Sequence, residues 1–271
     1  MIQGLSANLN TLYGDVEEVD RCAAAAQDGF KYVEMWTAPS EAAERVAHEL
    51  ERLNLSLVSV NTHPGSEPSD FGLAGDPART DAWRVDFLRT LDFARHARAR
   101  AINVLVGGRR PGATRSEQQQ CLIENLTWAL TLLRSGDPAL LLEPLNGVDR
   151  GSPLLRDAAD ALSVMSKIGN PTNLQLLFDV YHLFQEEIDP IATLRRVANR
   201  IGHVQLADYP GRAEPGTGKI PIAHFLEELA HADYSMFLGL EYFPTVADKS
   251  PFSWLSDYPD IDDRSSSAVV S

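Results

Sequence analysis

A chain of 271 residues, 44% of them hydrophobic, carries enough apolar surface for one large α/β domain, and its formal charge of −14 argues against a phosphate backbone or an anionic membrane as its main partner, since both reward clustered Lys and Arg. Cys22 and Cys121 show no metal-type spacing, no basic and then apolar leader opens the chain, and no apolar run approaches the roughly 20 residues of a membrane span. The expectation is a cytoplasmic protein that acts on a small molecule, with no nucleic-acid and no membrane partner.

Short runs rich in Val, Ile, Leu and Phe alternate along the chain with longer stretches of helical period. Strands are predicted at 4–9, 32–35, 55–62, 101–106, 139–143, 174–179, 203–207 and 237–242. Helices are predicted at 16–28, 41–53, 77–99, 116–135, 154–168, 190–198 and 221–230, several with Asp, Ser or Pro near their starts. This rhythm predicts an α/β fold, a single (β/α)8 TIM barrel over 1–258. A doubly wound sheet is the alternative. Against it, the turn after the first strand reads Asn8-Leu9-Asn10-Thr11-Leu12-Tyr13-Gly14 without a Gly-rich fingerprint, and no GKS or GKT follows any strand, so no dinucleotide site is expected. Residues 259–271, acidic and Ser-rich, are expected to form a flexible tail.

Four consecutive predicted strands, the fifth to the eighth, finish in groups that ionise or bind cations: Glu143, then Asp179, then His203, Gln205 and Asp208, then Glu241. In a barrel these reach the C-terminal face, where such enzymes hold their chemistry. One such residue is equally well a helix cap or half of an ion pair; four at one edge point to a shared site. Three converging carboxylates repel, and a divalent cation is the simplest neutraliser; with the Gln205 amide oxygen the donor set is hard, which favours Mg²⁺ or Mn²⁺. His182, three residues past Asp179, suits a substrate contact or a helix cap. Strand alternation turns Gln205 inward with His203, a residue readable as core or functional, and turns Asp208 outward, where it would shape the next turn. The Gly/Pro-rich loop 210–218 brings Arg212 and Glu214 over the same mouth. Arg212 is suited to clamp a substrate carboxylate; the plainer reading is a surface salt bridge between the two.

The ordered set Ser6-Ala7-Asn8-Leu9, Asn61-Thr62-His63-Pro64-Gly65, Phe71-Gly72-Leu73-Ala74, Glu143-Pro144-Leu145, Phe178-Asp179-Val180-Tyr181-His182, His203-Val204-Gln205-Leu206-Ala207 and Gly239-Leu240-Glu241-Tyr242 resembles the hydroxypyruvate isomerase branch of the xylose-isomerase-like sugar isomerases and epimerases. The resemblance implies a metal held by Glu143, Asp179, Gln205 and Glu241, with Glu143 and Glu241 also the catalytic acid/base pair. Substrate contacts are expected from His182, Arg212, Glu214 and His63. The implied activity is that of an intramolecular oxidoreductase converting hydroxypyruvate to tartronate semialdehyde (2-hydroxy-3-oxopropanoate) through an enediolate.

Gln205 stands where related epimerases carry His, which favours the hydroxypyruvate branch. His63 in place of a small residue, Asp208 in place of a Gly-like one, and the basic Gly107-Gly108-Arg109-Arg110 depart from the pattern and bear on the substrate. Alternatives on the same site are a ketose 3-epimerase, a 2-oxo-tetronate isomerase and an inosose dehydratase. A metal-dependent AP endonuclease fits the seven His and the charge of −14 less well, and a non-catalytic binding protein is the last reading. Phe252 and Trp254, read as exposed, either cap the mouth or pack against a second subunit of a homo-oligomer.

Overall fold

The computed structural model describes residues 2–38, 43–67, 69–186, 188–245 and 250–264. Eight parallel strands close into a barrel in chain order: β1 Gly4–Asn8, β2 Tyr32–Met35, β3 Ser56–Asn61, β4 Ala101–Asn103, β5 Ala139–Leu142, β6 Leu174–Asp179, β7 Ile201–Leu206 and β8 Phe237–Leu240. Because β1 pairs with both β2 and β8, no strand edge is left open. The connections carry α1 Arg21–Gln27, α2 Ala43–Arg52, α3 Thr80–His96, α4 Arg115–Leu132, α5 Gly147–Arg150, α6 Ala158–Lys167, α7 Val180–Gln185, α8 Pro190–Val197 and α9 Ile222–His231. This is the single (β/α)8 barrel that the alternation predicts.

Helix starts follow local chemistry more than hydrophobic period. The α4 helix opens on a capping box, with Thr114 Oγ1 accepting from Glu117 N and the Glu117 carboxylate accepting from Thr114 N. Asp157 caps α6 by accepting from Asp160 N, which sets the start at Ala158; the residues before it serve the barrel top, where Pro153 bridges to Gly108. The α1 helix begins five residues later than its apolar pattern, because 13–20 close successive turns, Val16 N donating to Tyr13 O and Asp20 N to Glu17 O. Residues 41 and 42, the expected start of α2, lie outside the described residues. The helices α5 and α7 are too short to leave a periodic signal.

The apolar core lies mainly between strands and helices, where α3 and α4 stack Trp83 on Phe87 with ring centroids 5.2 Å apart and set Trp128 edge-on to both. Inside the barrel a small plug of Ala101, Leu141 and Leu177 fills one side. The rest of the interior is polar: Ser6, Asn8, Glu34, Ser59, Asn103, His203 and Gln205 are all buried. Strand alternation places Glu143, Asp179 and Glu241 two residues beyond Leu141, Leu177 and Gly239, on the same inward face at the C-terminal mouth.

The loops that follow β3 and β4 are locked backbone to backbone. Gly72 has φ +142° and Gly107 φ +88°; a Cβ on Gly107 would lie 2.1 Å from Gly72 O, so neither position has room for a side chain. The Arg110 Nη2 donates to Asp70 Oδ1 at 2.7 Å and its Nε lies 3.2 Å from Asp76 Oδ2, which gives the basic segment after β4 a structural role. Behind β7, Asp208 shapes the turn as alternation suggests: its carboxylate accepts from the backbone N–H groups of Tyr209, Gly216, Gly218 and Ile220.

Two expectations at the C-terminal end need correction. Phe252 and Trp254 are buried: Phe252 packs edge-on against Phe30, and Trp254 Nε1 donates to Tyr242 Oη at 3.1 Å. Neither is exposed to cap the mouth or meet a neighbour. They cover the barrel flank because β8 is followed, among the described residues, by a single 3₁₀ turn, Ser253–Asp257, and no long helix. Residues 259–264, the first part of the expected flexible tail, are also docked, with Asp263 Oδ1 accepting from Leu5 N and the Arg264 guanidinium over the Phe30 and Phe252 rings. Residues 265–271 lie outside the described residues.

Candidate active site

The ends of β4 to β8 bring Asn103, Glu143, Asp179, Gln205 and Glu241 to one buried mouth, joined by Trp36 from the end of β2, His182 from α7 and Arg212 from the loop after β7. Glu143 Oε2 accepts from Asn103 Nδ2 at 2.7 Å. Asp179 sits at the helix cap of α7, where Oδ1 accepts from Tyr181 N and His182 N, so Oδ2 is the oxygen left for the mouth. Arg212 Nη2 donates to Glu241 Oε1 at 2.6 Å and to Asp179 Oδ2 at 3.2 Å, and Trp36 Nε1 donates to the same Glu241 oxygen at 2.9 Å.

Arg212 is 8% exposed and takes φ +56°, a backbone conformation that the tight loop imposes and that turns the guanidinium inward over the Tyr181 ring. Its Nε is buried with no partner among the described residues.

The charges do not balance. Burial raises the pKa of Glu143, and the neighbouring Glu241 and Asp179 raise it further. Burial likewise raises Asp179 and Glu241 against the opposing pull of Arg212. For Arg212, burial disfavours the charge, but Glu241, Asp179 and Glu143 outweigh it and hold the guanidinium protonated. One guanidinium thus faces three carboxylates in a low-dielectric mouth.

One ligand atom from each of Glu143, Asp179 and His182 lies within 4.8 Å of the others, close enough to share an ion. The histidine nonetheless reads better as a donor. Burial, then Arg212 and Arg150, push its pKa well below 6.5, so the ring is neutral. The backbone N–H of Asn146 donates to Nδ1 at 3.2 Å, so the single ring proton sits on Nε2. That N–H stands 3.8 Å from both Glu143 Oε1 and Asp179 Oδ2, aimed into the mouth. The Gln205 amide has an oxygen to offer: Nε2 donates to Glu34 Oε1 at 2.8 Å, while Oε1 is buried with no partner among the described residues. Three carboxylates with raised pKa and a bare amide oxygen fit a hard divalent cation.

Two expected substrate contacts are elsewhere. The Glu214 carboxylate accepts from Thr245 N and Thr245 Oγ1 at 2.8 and 2.7 Å, so it ties the loop after β7 to the segment after β8. His63 is exposed and lines a groove of about 960 Å³ between α2 and α3, since Thr62 turns inward to accept from Leu105 N. Sequence reasoning passed over Glu34, Trp36, Asn103 and Asn146. Glu34 left a signal, a charge at the third place of an apolar strand, Tyr32-Val33-Glu34-Met35; the other three left none.

The model of the xylose isomerase-like TIM barrel family matches residues 22–257. The chain belongs to this family. Among its relatives, the hydroxypyruvate isomerase of Escherichia coli K12 is 32% identical over 254 residues, covering 93% of this chain and 98% of that one. The 2-oxo-tetronate isomerase of Cupriavidus necator is 30% identical over 93% of this family member and 97% of its own length. A solved structure described as an AP endonuclease, family 2, from Brucella melitensis superposes with TM-score 0.88 at 26% identity, over 94% of this chain and 98% of that one. Both relatives are isomerases by name, and this member of the family is an isomerase-type enzyme.

Proposed function

We propose that the protein is a divalent-cation-dependent isomerase of a small hydroxy-oxo acid, with hydroxypyruvate and tartronate semialdehyde as its substrate pair. What supports this reading is that Glu143, Asp179, Gln205 and Glu241 stand buried at the ends of β5 to β8, that the Gln205 oxygen has no partner among the described residues, and that Arg212 bonds both Asp179 and Glu241 beside a neutral His182. Those four oxygen donors would hold the cation, and Mg²⁺ or Mn²⁺ bound there supplies a Lewis acid that makes the substrate C–H more acidic and steadies the enediolate charge.

Isomerisation removes a proton from the hydroxyl-bearing carbon, returns one to the neighbouring carbonyl carbon, and moves the hydroxyl proton between the two oxygens. Glu143 and Glu241 are the acid and base, each with a pKa that burial lifts toward neutrality, where a carboxyl exchanges protons with carbon most effectively. The His182 Nε2–H donates to a substrate oxygen. Arg212, through the Nε that has no protein partner among the described residues, takes the substrate carboxylate. A four-carbon 2-oxo acid presents the same three groups and is the second candidate, in line with the 2-oxo-tetronate isomerase relative.

The test is Glu241→Gln followed by solvent-deuterium exchange into hydroxypyruvate. Exchange is expected to fall by about 10³-fold, within the range for loss of a general base. Undiminished exchange would exclude Glu241 as the base. NMR of the products separates isomerisation from epimerisation and from loss of water.

A further inference from the structure

Gln205 is a neutral ligand candidate with a weakness that carboxylates lack. Its amide has two faces, and only the oxygen attracts a cation; turned over, it would present an NH₂ group instead. Glu34 decides which face is shown. The Glu34 carboxylate, 1% exposed, accepts from Gln205 Nε2 at 2.8 Å and from Asn8 Nδ2 at 3.3 Å on Oε1, and its Oε2 lies 2.7 Å from His203 Nε2. Because Glu34 Oε1 accepts from the amide nitrogen, Gln205 Oε1 is left away from Glu34, buried and with no partner among the described residues.

Three further observations show that the barrel is built around this carboxylate. Asn8 is itself oriented, its Oδ1 accepting from Asn10 N and Thr11 N at 3.0 and 3.2 Å, so its NH₂ faces Glu34. The network spans β2, β1 and β7, and β8, which pairs with both β1 and β7, omits a side chain to make room for it. A Cβ on Gly239 would lie 2.6 Å from Glu34 Oε2, 2.8 Å from His203 Nε2 and 3.0 Å from Gln205 Cγ.

We propose that Glu34 is a positioning residue of the cation site: it holds the Gln205 amide with the oxygen toward the cation, and Asn8, His203 and Gly239 hold Glu34. Partners of this kind are worth about 10- to 100-fold in metal affinity. The inference rests on the reading that Gln205 is a cation ligand, and the experiment separates the two.

Mn²⁺ binding is measured on EDTA-treated protein by titration calorimetry for the wild type, Glu34→Gln, Gln205→Ala and the double variant, with circular dichroism to confirm folding. Glu34→Gln is expected to weaken Mn²⁺ binding about 10- to 100-fold in the wild-type background and to change it less than about twofold in Gln205→Ala, where no amide remains to orient. A role in structure alone would give the same loss in both backgrounds, and that result would overturn the inference. An unchanged Mn²⁺ Kd in Glu34→Gln would overturn it too. Wild-type affinity in Gln205→Ala would instead overturn Gln205 as a ligand, and the inference with it. Should Glu34→Gln not fold, Glu34→Asp, which keeps the charge and shortens the reach by one methylene, is expected to weaken Mn²⁺ binding in the same direction; an unaltered Kd there counts against the role.

Discussion

Arg212 Nη2 lies 2.6 Å from Glu241 Oε1, which places a guanidinium against a carboxylate assigned to both cation binding and proton transfer. The same nitrogen reaches Asp179, so one side chain steadies two of the three carboxylates while its Nε is buried with no partner among the described residues. Replacing Arg212 with Lys keeps the charge and loses the fork. We expect kcat/KM for a carboxylated substrate to fall about 10- to 100-fold, from the roughly 1.5–3 kcal/mol of a charge-assisted hydrogen bond. The loss should be much smaller for an uncharged hydroxy-carbonyl compound, and steady-state kinetics on the two substrates checks this.

His182 is neutral and carries its proton on Nε2, so it serves as a donor without titrating near neutral pH. His182→Gln should therefore lower kcat about 10²-fold while leaving the pH–rate profile of the same shape. A limb of the profile lost in the variant would show that the imidazole itself ionises during turnover.

The metal-free protein should be destabilised by alkali well before its surface titrates. Burial raises Glu143, Asp179 and Glu241, so each binds its proton more tightly folded than unfolded. The stability tied to such a group is complete below its unfolded pKa of about 4 and is lost as pH rises through the higher folded value. With EDTA, Tm should fall between about pH 5 and about pH 8, and Mn²⁺ should raise Tm more at the upper end, where the carboxylates are free to bind it. Thermal unfolding at both pH values with and without Mn²⁺ checks the sign.

The barrel was legible because its signal is long-range and redundant: eight apolar runs recur with helical stretches between them, and small errors at each end leave the count intact. The ends themselves were set by single side chains, such as Asp157 capping α6 and Asp76 capping the short turn at Pro77–Arg79, whose effect an apolar period does not register. Glu143, Asp179, Gln205 and Glu241 stood out as candidates for a related reason, since a polar residue closing an apolar strand is locally anomalous. The placement of Glu214 and His63 was not legible, because loops obey contacts made far along the chain, with Thr245 for the first and Leu105 through Thr62 for the second. Asn146 and Trp36 reach the mouth through a backbone N–H to His182 and an indole N–H to Glu241, contacts that no local pattern announces before the fold brings them together.

The central claim is that this mouth interconverts a hydroxy-oxo acid with the help of a divalent cation. The most direct measurement is a proton NMR time course of hydroxypyruvate in D₂O with the purified protein, after EDTA treatment and again after Mg²⁺ or Mn²⁺ is restored. We expect tartronate semialdehyde to form, with deuterium at its hydroxyl-bearing carbon, only when the cation is present. Equal turnover in EDTA, or no conversion of the acid with either cation, would contradict the account.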